Sequence, residues 1–177
     1  MRNVPRNELR ILAIDPMHQG VGFAVLERPV GLVDWGWREI REMMTSDKNR
    51  ATLQRVHELL DRFAPDVLVV EDCAANDSRR GRRVKQLARR LEKLAGEKGI
   101  EFCPVSPKTL KEAFAQVDAR TKHEIARAVA QRFPELACSL PPVRRPWMSE
   151  GGPMSMFDAA ALAMAFSSRE EEDSLAA

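Results

Sequence analysis

The sequence predicts a mixed α/β layer structure, with elements in the order β-β-β-α-β-α-β-α-α-α. Three observations predict it. Short apolar runs of strand length, broken by Pro and Gly, occupy the N-terminal part of the chain. A continuous apolar run, Val67-Leu68-Val69-Val70, lies between two segments whose apolar residues recur at helical spacing. Beyond a further strand near residue 100, the periodic segments are helical.

Taken in order, Ile11-Leu12-Ala13-Ile14 ends abruptly in Asp15-Pro16, as expected of a buried strand whose last residue emerges at a sheet end. Residues 21–26 continue apolar after Gly20, and 32–37 follow the Pro29/Gly31 break, giving three strands with short connections. Leu53, Val56, Leu59, Leu60 and Phe63 line one helix face over 50–63, and Pro65 stops the helix. The run at 67–70 suits a central strand covered on both faces, closed by Glu71-Asp72. The next helix sets Val84, Leu87, Ala88, Leu91 and Leu94 on one face, with Arg80, Arg83, Arg90 and Lys93 mostly on the others. Residues 100–105 form the fifth strand. Ser106-Pro107 reads as a helix cap followed by Pro at the first helical position. Thr121-Lys122-His123-Glu124 reads as a capping box ahead of Ile125, Ala126, Val129, Ala130 and Phe133. From 134 to 153 the chain is rich in Pro, Gly, Arg and Ser without periodicity, which predicts a long surface loop. Residues 157–166 are Ala-rich and helical, and the acidic tail over 168–177 is expected to fray.

A length of 177 residues, with no internal repeat, suits one domain spanning 1–177. With 44% hydrophobic and 31% charged residues the composition is that of a globular protein, which excludes a disordered chain. No apolar run approaches the roughly 20 residues a bilayer needs, and MRNVPRNELR carries no signal-type apolar stretch, so the expected location is the cytoplasm. Cys73, Cys103 and Cys138 are odd in number and lack CxxC spacing, which favours thiols over disulfides or a zinc knuckle. The net charge of +2 is small, but eight Lys or Arg against one Glu between 79 and 93 form a local basic stretch suited to a polyanion.

Three acids stand where acids are costly. Asp15 and Glu71 each end an apolar strand, and Asp158 opens an apolar helix. An ionised carboxylate beside a core needs positive compensation, which a bound metal supplies well. If the two strands lie side by side, Asp15 and Glu71 emerge at neighbouring ends, and a helix packed across them would bring in Asp158. All-oxygen ligation suits Mg²⁺, with Mn²⁺ substituting. Two such ions about 3.5–4 Å apart serve in-line phosphoryl displacement, which is nuclease chemistry. Each acid alone also has a bland reading: a solvated turn residue at a strand end, or a helix N-terminal acid answering the macrodipole.

Here the sequence resembles a family. ILAIDPMHQGVGFAV is similar to the first hairpin of the RuvC-like Holliday junction resolvases, in which Asp-Pro-Gly is followed by Gly-aromatic-small-Val; Met17 replaces the Gly. PDVLVVEDC resembles the strand carrying that family's second acid, and FDAAALAMAF its last helix. VSPKTLKEAFAQVDARTKHEIARAV resembles the segment with two lysines eleven residues apart, here Lys111 and Lys122. The resemblance runs from Ile11 to about Phe166. It implies a ribonuclease H-like fold, a central mixed five-stranded sheet flanked by helices, and Asp15, Glu71 and Asp158 as metal ligands. It also implies that Lys122 stabilises charge on the scissile phosphate, with Lys111 gripping the backbone nearby. Two positions depart from the family. Ser155 stands where another acid is common, leaving water or Glu150 to compensate, and Ala74 stands where an aromatic often stacks on a base.

Among the basic residues, Arg79, Arg80, Arg82 and Arg83 are candidates to clamp DNA phosphates near the acids, or equally a solvated helix face. Arg144, Arg145 and Trp147 are candidates to insert at a strand exchange point, although a loop Trp more often anchors its own loop. His18, His57 and His123 read as solvated or structural. The leading expectation is an endonuclease of four-way DNA junctions. It would act as a homodimer, because paired symmetric nicks need two sites related by a two-fold axis. Leu87 and Leu91 would serve that interface or the core. The alternatives are a ribonuclease H-like enzyme on RNA or hybrid substrate, and an inactive fold that binds nucleic acid or protein without cutting.

Overall fold

The structure, a computed structural model, describes residues 8–29, 31–41, 44–143 and 151–176, with side chains through residue 170. Strands β1 (Arg10–Met17), β2 (Gly20–Glu27) and β3 (Gly31–Glu39) precede helix α1 (Thr45–Phe63). Strand β4 (Val67–Glu71), helix α2 (Arg82–Lys98) and strand β5 (Glu101–Val105) follow. Helices α3 (Pro107–Ala115) and α4 (Lys122–Arg132), a 3₁₀ turn (Pro134–Ser139) and helix α5 (Gly152–Ala176) complete the chain.

The five strands make one sheet in the order β3-β2-β1-β4-β5. β1, β2 and β3 pair antiparallel, while β1 with β4 and β4 with β5 pair parallel. The tight hairpin at His18-Gln19 fixes the first register, Met17 opposite Gly20. The parallel register sets Ile11 beside Val67 and Ala13 beside Val69, and α1 supplies the crossover that parallel pairing requires.

Side-chain alternation along β1 and β4 divides the core into two layers. Leu12, Ile14, Leu68 and Val70 point to α1 and α2, packing with Val56, Leu60, Leu87 and Leu91. Ile11, Ala13, Val67 and Val69 point to the other face, where Val129, Leu136, Phe157 and Ala161 cover them. Central strands buried on both sides must be apolar throughout, which is why 67–70 is an unbroken run.

The helix ends follow local chemistry. α1 stops at Ala64 in the left-handed region (φ 43°), immediately before Pro65. Gly99 (φ 67°) closes α2 in the same way. Ser106 accepts a hydrogen bond from the Thr109 N–H with Pro107 at the first helical position, and the Thr121/Glu124 capping box forms in both directions.

Several expectations change. Leu87 and Leu91 are fully buried against the sheet, so they serve the core and are not part of a subunit interface. The segment expected as loop over 134–153 includes the 3₁₀ turn, anchored by fully buried Leu136, and the first turn of α5. α5 begins at Gly152 because Met154 and Met156 carry its apolar surface N-terminally into the core. Its backbone also continues helical through the acidic tail to Ala176. α1 starts at Thr45, five residues before the apolar period shows it, with Asn49 buried on that added part.

Candidate active site

Asp15 lies near the end of β1 and Glu71 is the last residue of β4. The β1–β4 register pairs Ala13 with Val69, so two further residues on each strand bring both acids to neighbouring positions at one end of the sheet. Both share the side-chain phase of Ile11, Ala13, Val67 and Val69, the face that α5 covers.

Gly22 brings α5 to Asp15. It sits opposite Asp15 on β2, and a Cβ built there would lie 2.2 Å from the backbone carbon and oxygen of Ser155. That backbone approach admits no side chain, and it sets the first turns of α5 directly against the strand carrying Asp15. Asp158, one helical turn beyond Ser155, thereby comes within electrostatic reach of Asp15. Ser155 itself is 2% exposed and its Oγ donates to the Gly152 carbonyl at 2.7 Å, so the hydroxyl is tied to its own helix.

Two cations meet the three acids. Arg80, in the loop between β4 and α2, donates from Nε to Glu71 Oε2 at 2.7 Å and from Nη2 to Asp15 Oδ1. Its Nη1 donates to the Pro16 carbonyl at 3.1 Å. Ser78 Oγ donates to the other Glu71 oxygen at 3.0 Å. On the α5 side, Lys122 Nζ stands 2.9 Å from Asp158 Oδ2. Lys122 is the first residue of α4, so the capping box that fixes the start of that helix also aims its ammonium.

Burial dominates the electrostatics. Asp15 is 2% exposed, and desolvation pushes its carboxyl up to about 7. Arg80 opposes that rise, the Asp158 charge adds to it and Lys122 opposes it. Desolvation also works against the Arg80 charge, but the Asp15 and Glu71 carboxylates more than reverse it and hold the guanidinium above its ordinary value. Burial followed by the Glu71 charge raises the Cys73 thiol, which donates to the Glu71 carbonyl at 3.4 Å.

The three acids thus gather at one end of the sheet as the sequence predicts, but in two ion-paired parts, Asp15–Arg80–Glu71 and Asp158–Lys122. Among the described residues no group of three His, Cys, Asp or Glu side chains stands close enough to hold a metal ion. The donor chemistry fits a hard divalent ion, since every candidate ligand is a carboxylate oxygen. Between Asp15 and Glu71, the guanidinium takes the position such an ion would need.

The other candidates are placed as follows. Arg79 and Arg82 are exposed. Arg80 and Arg83 turn inward: Arg83 donates to the Met17 carbonyl and, at 3.1 Å, to Asn49 Oδ1, while burial lowers its pKa. Lys111 is exposed on α3, which packs against α5. His18 is exposed in the β1–β2 turn, and His57 pairs with Asp61 at 2.9 Å on the surface of α1. Arg144, Arg145, Trp147 and Glu150 lie outside the described residues. Sequence reasoning misses Ser78 and the inward role of Arg80. Both lie in the loop that joins Glu71 to α2, and neither contact has a signal in the local spacing.

No family model matches the chain, and no curated protein matches it. Solved structures do. RuvC of Thermus thermophilus superposes with a TM-score of 0.65 at 21% identity, covering 92% of this chain and 97% of that one. The same protein in complex with a Holliday junction substrate gives a TM-score of 0.61. The yeast mitochondrial Holliday junction resolvase Ydc2 gives 0.63 at 14% identity, covering 93% of this chain and 80% of that one. The fowlpox virus Holliday junction resolvase gives 0.56 at 11% identity, covering 92% and 99%. The mixed five-stranded sheet and this likeness over nearly the whole chain establish an α/β ribonuclease H-like fold, the one shared by RuvC and the related Holliday junction resolvases.

Proposed function

We propose that the chain is a magnesium-dependent endonuclease that cuts phosphodiesters in branched DNA, with the four-way junction as its substrate and a homodimer as its working form. One observation carries this reading: Asp15, Glu71 and Asp158 share one end of the sheet with Lys122, on a fold whose solved examples include junction resolvases. The complex of T. thermophilus RuvC with a Holliday junction substrate supports the substrate class.

In this mechanism Asp15, Glu71 and Asp158 would hold Mg²⁺, with Mn²⁺ able to substitute, and that group would supply water activation and charge stabilisation for phosphoryl displacement. The residues of the chain do the rest. Lys122, 55% exposed beside Asp158, places an ammonium where negative charge grows on the scissile phosphate. Lys111 holds backbone phosphate nearby, and Arg79 and Arg82 extend the contact along the strand. Arg144, Arg145 and Trp147 are proposed to contact the exchange point. Paired nicks follow from two such sites across a two-fold axis.

The test is cleavage of labelled four-way junction, duplex, single-stranded and hybrid substrates with Mg²⁺, with Mn²⁺ and with chelator. Paired symmetric nicks in the junction, abolished by chelator, are the expected result. Asp15→Asn keeps shape while deleting charge, and should lower cleavage at least about a thousandfold. Junction affinity should stay within about threefold, because phosphate contacts dominate it. Cutting retained by that variant overturns the site.

A second reading is a module that binds without cutting. It is favoured by Ser155, whose hydroxyl is tied to its own helix, and by the pairing of two acids with Arg80. Junction binding with no nick under either ion would replace the first reading with this one. Preferential cutting of the hybrid would instead indicate a ribonuclease H-like activity, for which exposed Ala74 in place of a stacking aromatic leaves room.

A further inference from the structure

Arg80 is held by the acids more completely than a phosphate-binding arginine on a nuclease surface needs to be. Its guanidinium reaches Glu71 through Nε, Asp15 through Nη2 and the Pro16 carbonyl through Nη1. Its side chain is 21% exposed, against 3% for Asp15 and 19% for Glu71. The rigid fork suits this bridge, and a lysine has no second donor arm to span both carboxylates. Ser78 fixes the remaining Glu71 oxygen, so the acid is oriented toward the arginine from both sides.

Charge balance gives the bridge a further meaning. Among the described residues, Arg80 is bonded to both Asp15 and Glu71, while Lys122 stands beside Asp158. Where the related family commonly adds a fourth acid, this chain has Ser155, buried and tied to Gly152. A divalent ion that joined Asp15 and Glu71 with Arg80 in place would crowd two cations against the same oxygens. The ion and the guanidinium therefore exclude one another between Asp15 and Glu71. Arg80 has room to leave: it belongs to the β4–α2 loop, not to a helix, and the next residue, Gly81, has nothing within 4 Å of the point where a Cβ would sit.

We propose that Arg80 is a resident counter-cation that competes with divalent metal for Asp15 and Glu71, so that an ion enters this part of the site only as the guanidinium departs. The inference rests on the ion-dependent reading above and adds to it a residue that sets ion affinity. In the resting chain the bridge stabilises buried Asp15. In the ion-loaded chain the metal takes over that role and Arg80 faces outward beside Arg79 and Arg82.

The experiment is Mn²⁺ binding to the metal-free wild type, Arg80→Gln, Arg80→Lys and the double variant Asp15→Asn/Arg80→Gln. Free ion is followed by electron paramagnetic resonance, and thermal midpoints are measured in parallel. If the bridge is closed about nine-tenths of the time, its removal should tighten Mn²⁺ binding about tenfold. Arg80→Gln should also melt lower than wild type without metal and gain more from Mn²⁺. Arg80→Lys should fall between the two, and the double variant should lose the gain. Equal affinity in wild type and Arg80→Gln overturns the competition while leaving ion dependence intact, whereas absence of binding in every variant overturns both. A measurement on the wild type covers the case in which Arg80→Gln does not fold. Saturating Mg²⁺ should shift the nitrogen-15 signal of Arg80 Nε and speed its exchange with solvent, and an unmoved signal with the ion bound overturns the proposal.

Discussion

The two ion-paired parts of the site are built on opposite principles. Asp15–Arg80–Glu71 is a buried bridge assembled from two strands and a loop, in which one guanidinium serves two acids. Lys122–Asp158 joins two helices, with the lysine more than half exposed and the acid 16% exposed. Removing one partner of a buried pair strands a charge in low dielectric. The Lys122 ammonium is half in water, so its own charge is better screened than that of Arg80. The first part is therefore the more closely tied to folding.

That contrast breaks most severely at Gly22, which both parts need. Gly22→Val would drive a side chain into the Ser155 backbone and displace α5 from β2. A loss of about 3 kcal/mol or more is expected by denaturant titration, at the upper end of overpacking costs. Arg80→Ala comes next, at about 3 kcal/mol in the metal-free protein at pH 8, the low end for breaking a buried pair because Asp15 can take up a proton. A wild-type denaturation midpoint in this variant would show that the bridge does not support the fold. Lys122→Ala should cost less, about 1–2 kcal/mol, because the lysine is half exposed while Asp158 is not. Under the proposed function it should still lower junction cleavage at least about a hundredfold, measured as single-turnover rate. Loss of stability without loss of cutting would invert the assignment.

The acids are legible in the sequence because each interrupts an apolar run. Ile14 before Asp15, Val70 before Glu71 and the alanines after Asp158 leave no bland surface on which such residues would pass unnoticed. The strand order and the two-layer core follow from the same alternation. Arg80 is different. Four arginines crowd into five positions, and nothing in their spacing says that the second and fourth turn inward while the first and third stay in solvent. That distinction depends on where the β4–α2 loop passes over the end of β1, a long-range contact with no local signature. The N-terminal part of α5 is hidden for a related reason, since Gly152 and Pro153 read as loop until the Trp37 ring packed against Gly152 is known.

The smallest predicted effect sharpens the contrast from the α4 side. Backbone N–H groups of Thr121 and Arg120, with the Thr121 side chain, lower the Glu124 pKa. An acid with a depressed folded value adds stability above its unfolded pKa, near 4.5, and loses it as pH falls through the folded value. Wild type should therefore show a small decline in helix content below that range, followed by circular dichroism, and Glu124→Gln should lack this component. An identical acid profile in both proteins would remove the capping box as the support that aims Lys122.

The alanine-rich helix that seals the sheet also delivers Asp158, and residues 159–163 along it are all 2% exposed or less. Amide protons there should thus be among the last in the protein to exchange with heavy water. Change in what this sheet end recognises would have to proceed through the loops around the acids, because any retuning of the helix itself would be felt first as misfolding.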